Sequence, residues 1–505
     1  MFSTFKNPDK ETVLTPWRVV NMHMSDTIGG YDFWNEDHSV EIENPRFVDR
    51  GDVTKNIFED PNGKVLEINS KTGLYPLYIA YTYYRVKATK YNEDELTFEK
   101  KQEIWDEVVR DNLFVVCKTP MAKQITKRTL LGYREGKMNA HAFDDLINQM
   151  KSKQDQIVKQ LTRSQFWGKE GDKMVFSVVV GNPPYQIMDG GAQSSSIPIY
   201  NEFVNASKKL KPNYISLIMP SRWMTSGKGL DDFRFEMIHD KKIEILHDYI
   251  NAKECFSNVE IKGGICYFLW NNQHDNKCLI YTHYDKQKIV FSERFLAVDD
   301  ESDFYVRDER LVSILNKVKE KTITTFDTLV SSRKPYGLTG AFFKDPAKYN
   351  LPPVSNSPIQ DGYRILGLGE KQKREYKYIS SNYPLPKKDG LQELKIFIPE
   401  SYGNGSMGDG PSNPVIGDLG DLCLETFLQI RPVKSYLEAK NIIHYMKTKI
   451  FRLLVGIIKN TQHGTQKVYR LVPILDFNIS WNDDSLYKYF NLNQLEIDFI
   501  NELIN

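Results

Sequence analysis

At 505 residues, with 67 Lys+Arg against 66 Asp+Glu and a formal net charge of +1 at pH 7, the chain is long enough for two or more domains with sizeable cores. The balanced charge excludes a global polyelectrolyte, so any contact with nucleic acid has to come from local basic patches. The opening MFSTFKNPDKET is polar rather than a secretory leader, and apolar runs such as YISLIM and LLVGII fall far short of the roughly 20 residues of a membrane span, which predicts a cytoplasmic protein without membrane contact.

In chain order, Thr15-Pro16 gives a helix start signal ahead of WRVVNMH. From about residue 63 to about residue 269, β-like apolar runs alternate with amphipathic helix-like segments. KVLEIN is followed by PLYIAYTYYRVKA, DNLFVVC by PMAKQITKRTLLGYR, and FSVVVGN by IPIYNEFVNASKKL; NYISLIMP, LDDFRFEMIHD, IEILHDYI and GGICYFLW complete the series. This alternation predicts an α/β fold with a doubly wound, mostly parallel sheet. Its chemistry then belongs in the turns beyond the carboxyl ends of the strands. A further strand is expected within residues 150–170, a polar stretch that includes SQFWG. After about residue 305 the texture changes, with 345–420 dense in Pro, Gly, Asn and Ser, and short strand-like pieces such as LKIFIP and CLETFLQI. Two domains are therefore expected, 1–305 and 306–505, the second α+β with a helix-like stretch at SYLEAKNIIHYMKTKIFRLLVGIIK. The five cysteines are scattered without a CxxC pair, which predicts buried reduced thiols and no metal site.

The stretch FSVVVGNPPYQ carries the chemistry. A β-branched run ends at Gly181, and Pro183 and Pro184 keep the following backbone extended, so Asn182 stands at the carboxyl edge of the sheet with Tyr185 beside it. Such a loop suits methylation of an exocyclic amino group, whose lone pair is delocalised into its ring. A carboxamide oxygen and a proline carbonyl can accept the two N–H bonds and favour a pyramidal, nucleophilic nitrogen, which is positioning plus electrostatic stabilisation. The Tyr185 ring can stack on a base rotated out of a duplex.

GNPPYQ after an apolar strand resembles the catalytic motif of amino-group DNA methyltransferases of the N6-adenine type, which use S-adenosylmethionine. Release-factor glutamine methyltransferases share the tetrapeptide but are shorter and lack a large C-terminal domain. The order along the chain is similar to the γ arrangement of type II restriction-modification methylases. That resemblance implies the S-adenosylmethionine-dependent methyltransferase fold followed by a C-terminal DNA target-recognition domain, with catalytic residues Asn182, Pro183, Pro184 and Tyr185. It places Thr15 and Pro16 near the cofactor's carboxylate, Glu67 on its ammonium group, and Asn69, Ser70 and Gly73 in the cofactor loop. It makes Phe166 or Trp167 a flank for the cofactor's adenine and Phe256 a second stacking face for the target base. Ile68 replaces the usual proline of the loop, Lys71 its usual first glycine, and Cys117 the carboxylate that normally holds the ribose. Near the C-terminus, KTKIFRLLVGIIKNTQHGTQKVYR has no acidic residue, and Lys459, Lys467, Gln462, His463 and Gln466 are candidates for phosphate and base-edge contacts. The implied partners are double-stranded DNA and a separate restriction endonuclease or helicase subunit, since no nuclease constellation stands out. Two alternatives stay open: a non-catalytic DNA-recognition subunit with a degenerate cofactor site, and cytosine-N4 methylation.

Overall fold

The structure, a computed structural model, describes residues 13–188, 196–224, 229–257, 259, 261, 263–285, 288–369, 373–403, 407–459 and 462–504. The polar opening, residues 1–12, lies outside them. The chain divides into two compact units, Met1–Tyr305 and Val306–Asn505.

The first unit is built on a nine-stranded sheet. Its strands, in chain order, are β1 (Val65–Ser70), β2 (Leu113–Cys117), β3 (Asn139–Ala142), β4 (Val178–Gly181), β5 (Tyr214–Pro220), β6 (Ile243–Tyr249), β7 (Ile265–Asn271), β8 (Cys278–Asp285) and β9 (Lys288–Arg294). Across the sheet they run β9-β8-β6-β7-β5-β4-β1-β2-β3. β7 is antiparallel to both its neighbours and β9 to β8, while every other pairing is parallel. The parallel strands are continuous apolar runs because both faces are covered; β1, β2 and β5 are buried at every position.

The period of two along each strand splits the interior into two cores. Leu66, Phe114, Val179 and Ile215 face one core, shared with α5 (Tyr200–Lys209), α6 (Asp231–His239) and the short helices Leu146–Ser152 and Gln154–Leu161. Val65, Leu113, Val178 and Tyr214 face the other, shared with α1 (Trp17–Thr27), α2 (Leu74–Ala88), α3 (Phe98–Asp111) and α4 (Pro120–Leu131). Helices thus flank both faces, as a doubly wound sheet requires. All five cysteines are free and buried.

The expected third strand is displaced. Residues 150–170 form helical turns, and the strand is β3, at Asn139–Ala142. Its four residues, NAHA, are only partly buried at three positions. An edge strand covered this loosely carries no apolar run for a hydrophobic pattern to reveal. The sheet also extends past GGICYFLW by the β8–β9 hairpin.

In the second unit, Tyr363–Leu368 pairs with Arg374–Ile379 and Leu422–Cys423, and Leu394–Pro399 pairs with Val415–Gly417 and Phe427–Val433. The long helix-like stretch is two helices, α7 (Tyr436–Tyr445) and α8 (Lys449–Ile458), the second capped by the Thr448 hydroxyl accepting from Phe451 N–H. No helix among the described residues is long and apolar enough to cross a membrane.

Phe268 lies on β7, fully buried between β5 and β6. Phe268→Ala is expected to cost about 3–5 kcal/mol of stability, measured as a lower urea midpoint with an unchanged slope.

Candidate active site

The site forms where two strand ends meet. β1 and β4 are parallel neighbours, so the turns that leave them lie side by side. β1 bulges at its last turn: Ile68 opposes Val116 and Ser70 opposes Cys117, leaving Asn69 as the extra residue at φ 84. Asparagine tolerates this left-handed conformation better than other non-glycine residues. The bulge re-aims its side chain, and Asn69 Nδ2 donates to the carbonyl of Asn182 at 3.0 Å. Ser70 Oγ meets Thr126 Oγ1 of α4 at 3.0 Å. Gly73 then starts α2 at φ 78, where an added Cβ would sit 3.0 Å from the Thr126 backbone.

β4 ends at Gly181, φ 143. A Cβ there would lie 3.2 Å from Ile68 O and 3.6 Å from Glu67 Cγ, so glycine is what lets the two loops touch. Asn182 follows, buried, and its amide nitrogen donates to Thr15 Oγ1 at 2.9 Å and to Val13 O at 3.4 Å. Its Oδ1 is buried without a well-formed hydrogen bond, as are Glu67 Oε2, Asn69 Oδ1 and Tyr185 Oη, the Tyr185 hydroxyl lying near the Asn182 side chain. Leaving such an atom unpaired costs about 1–3 kcal/mol, so four in one place mark a site shaped for something that completes them.

Behind Thr15 lies a buried polar chain absent from the sequence reading. The Tyr75 hydroxyl lies against Thr15 and 2.9 Å from His23 Nδ1. His23 Nε2 is 2.8 Å from Ser216 Oγ, itself 2.7 Å from Thr27 Oγ1. Burial pushes the His23 imidazole well below its ordinary value, so the ring is neutral. One of its nitrogens donates and the other accepts, so both the Tyr75 and the Ser216 contacts are served.

Two titratable groups border the cofactor loop. Burial raises the Glu67 carboxyl to about 8, against the opposing effects of Ser70 and the Lys71 charge. Desolvation lowers the Lys71 ammonium to about 7, against the attraction of Glu67 and with help from Lys118. Lys71 Nζ donates to Val13 O at 2.8 Å, the carbonyl that Asn182 also reaches. Cys117, at the end of β2, is fully buried, with its thiol raised to about 12 by burial.

The remaining sequence candidates divide. Pro16 is the N-cap residue of α1, next to Thr15. Tyr185 is 7% exposed and meets the buried Phe256 edge-on, ring centroids 6.5 Å apart. Phe166 stacks on His141 of β3 at 3.9 Å, whereas Trp167 is a core residue. In the second unit Gln462, His463 and Lys467 are exposed. His463 Nδ1 lies 3.1 Å from Glu400 Oε1 and 3.1 Å from Ser401 Oγ, and Gln466 donates to Asp327 O at 3.0 Å. Lys459 is a correction. Its side chain is 0% exposed, ion-paired to Asp409 at 3.2 Å and set over the Tyr402 ring. A lysine buried in this way has no ammonium to offer a phosphate.

The doubly wound sheet, with its Gly-Asn-Pro-Pro-Tyr loop after the fourth strand, defines an α/β protein. Residues 111–256, which hold that loop, match the Eco57I restriction-modification methylase family. An uncharacterized adenine-specific methylase of Mycoplasma pneumoniae is 37% identical over 117 residues, 23% of this chain and 28% of that protein's length. Two solved structures also resemble the chain. A nuclease-deletion mutant of the type ISP restriction-modification enzyme LlaGI with a DNA substrate mimic has 11% identity and a TM-score of 0.46, over 98% of this chain and 47% of that one. A DrdV–DNA complex has 13% identity and a TM-score of 0.44, over 100% of this chain and 59% of that one.

The Glu67 shift has a sign. Its folded-state value, about 8, stands above the ordinary 4.5, so the folded protein holds a proton that the unfolded chain releases, and stability falls as pH rises between the two values. Glu67→Gln removes this dependence. The variant is expected to gain stability relative to the parent from about pH 5 to about pH 7, with a limiting slope of roughly 1.4 kcal/mol per pH unit. Urea midpoints across that range test it, and a pH-independent difference would refute the assignment.

Proposed function

We propose that the chain is a sequence-specific DNA adenine-N6 methyltransferase of a restriction-modification system, with S-adenosylmethionine as methyl donor. The observation that carries this reading is the orientation of the Asn182 carboxamide. Its NH2 is tied to Thr15 and Val13 while its oxygen makes no well-formed hydrogen bond. An amide held this way presents an acceptor, and an acceptor is what an amino substrate needs.

The unpaired Glu67 and Asn69 oxygens fit the ammonium end and polar groups of S-adenosylmethionine. Glu67 holds the ammonium group, and the Asn69–Gly73 turn brings backbone close to the methionine portion. When bound, this cofactor supplies an electrophilic methyl group on a cationic sulfur. Asn182 Oδ1 and the Pro183 carbonyl accept the two N–H bonds of the adenine amino group, which localises the nitrogen lone pair. Pro184 keeps the loop stiff, so the geometry is set before the base arrives. Tyr185 stacks on the extruded base, with Phe256 supporting it edge-on. The unit Val306–Asn505 serves target recognition on double-stranded DNA, with Gln462, His463, Gln466 and Lys467 near the duplex; cleavage falls to a separate protein, and the partner is a restriction endonuclease or helicase subunit.

A second reading, a DNA-recognition subunit with a degenerate cofactor site, is favoured by Cys117, whose raised thiol value leaves a neutral group where a ribose-binding carboxylate is usual.

Labelled S-adenosylmethionine with mixed-sequence duplex DNA separates the two: the methyltransferase reading expects label on adenine N6. Label on cytosine N4 would move the assignment to that amino group, and DNA binding with neither cofactor binding nor label would select the subunit. Asn182→Ala is expected to lower turnover by roughly 10²–10³-fold while leaving cofactor affinity nearly unchanged; wild-type turnover would remove Asn182 from its role. For DNA binding, Lys467→Ala should reduce the slope of log K against log salt by about 0.9, and Lys459→Met should leave that slope unchanged.

A further inference from the structure

Glu67, buried near the end of β1, and Lys71, part-buried just beyond it, lie four positions apart, yet no ion pair joins them among the described residues. Glu67 Oε2 has no well-formed hydrogen bond. Lys71 Nζ is held at 2.8 Å by one neutral acceptor, Val13 O, and feels Lys118 as a second positive charge. Each group feels the other, but no hydrogen bond or ion pair joins them. Two groups of opposite sign that attract without pairing are complementary to a ligand that carries both signs.

We propose that Lys71 is the cationic half of a receptor for an amino-acid zwitterion, binding the α-carboxylate of the methyl donor while Glu67 binds its α-ammonium. This rests on the methyltransferase reading and assigns a binding role to Lys71, one of the two departures in the loop from the usual pattern. Glycine at position 71 would allow close backbone approach; lysine there adds a charge-assisted bond instead. Thr15, whose hydroxyl accepts from Asn182, then serves the catalytic loop and leaves the carboxylate to Lys71. Binding also moves a proton within the site. The Glu67 carboxyl, raised to about 8, gives one up, and the Lys71 amine, lowered to about 7, takes one, so the wild-type protein exchanges little net proton with buffer.

The test is calorimetric titration of the full chain with S-adenosylmethionine and with 5′-methylthioadenosine, which keeps the nucleoside and thioether but has no amino-acid end. K71M should lose roughly 10- to 100-fold in affinity for the first and stay within about twofold for the second, with K71R keeping most of the wild-type affinity. K71Q is measured beside K71M so that loss of fold in one variant leaves the comparison standing. In buffers of different ionisation enthalpy near about pH 7.5, K71M should release protons on binding S-adenosylmethionine where the wild type releases few. Unchanged affinity for S-adenosylmethionine, an equal loss for both ligands, or equal proton release in wild type and K71M would overturn the proposal with the methyltransferase reading intact. If the wild type binds neither ligand, the methyltransferase reading fails and this inference falls with it.

Discussion

The site depends on one constraint: β1 and β4 must lie side by side, in parallel, where the strand order changes direction. From β1 the sheet grows one way through β2 and β3 and the other way through β4 and β5, and at such a switch the two departing turns separate to leave a crevice. The bond from Asn69 to the Asn182 carbonyl fixes how far apart they sit, and Gly181 removes the side chain that would hold them wider. Because the bond comes from a bulged residue, the cofactor turn and the catalytic turn are positioned by one departure from regular strand geometry.

Around that crevice the usual rule of the interior is relaxed. The two cores pack mainly apolar side chains between the sheet and the helices on both faces. Here the fold buries Glu67, Asn69, Asn182 and Tyr185 with polar atoms that lack well-formed hydrogen bonds. The surrounding cores offset that cost, which is how strained or unsatisfied groups persist at functional sites. The chain through Thr15, Tyr75, His23 and Ser216 does the opposite work. It satisfies its own members in sequence, and by occupying the Asn182 amide nitrogen it decides which end of the carboxamide is left over.

How much of this the amino-acid sequence discloses depends on whether a contact is local. The central strands were legible because burial on both faces forces unbroken runs such as LFVVC and YISLIM. The short edge strand at Asn139–Ala142 was not, since partial burial imposes no pattern. The loop residues could be placed at strand ends from the Gly-Asn-Pro-Pro order alone. Their partners could not: Thr15 and Asn182 are 167 positions apart, and a helix-start threonine gives no sign of a distant amide. Lys459 misled for the same reason, because its partner Asp409 lies 50 residues away and a stretch free of acidic residues looks solvated until the fold brings one in. Lys71 was visible as a departure from pattern, but only the distance to Val13 shows where its charge goes.

The five cysteines carry a practical corollary. Each is buried and free, and burial raises the thiols of Cys117, Cys255, Cys278 and Cys423 far above the range in which a reactive thiolate forms. The native protein is therefore close to silent toward alkylating and maleimide reagents while folded. A single cysteine introduced on an exposed face of the second unit would take up label on its own, so a fluorophore could be set beside Gln462 or Lys467 without first rebuilding the interior.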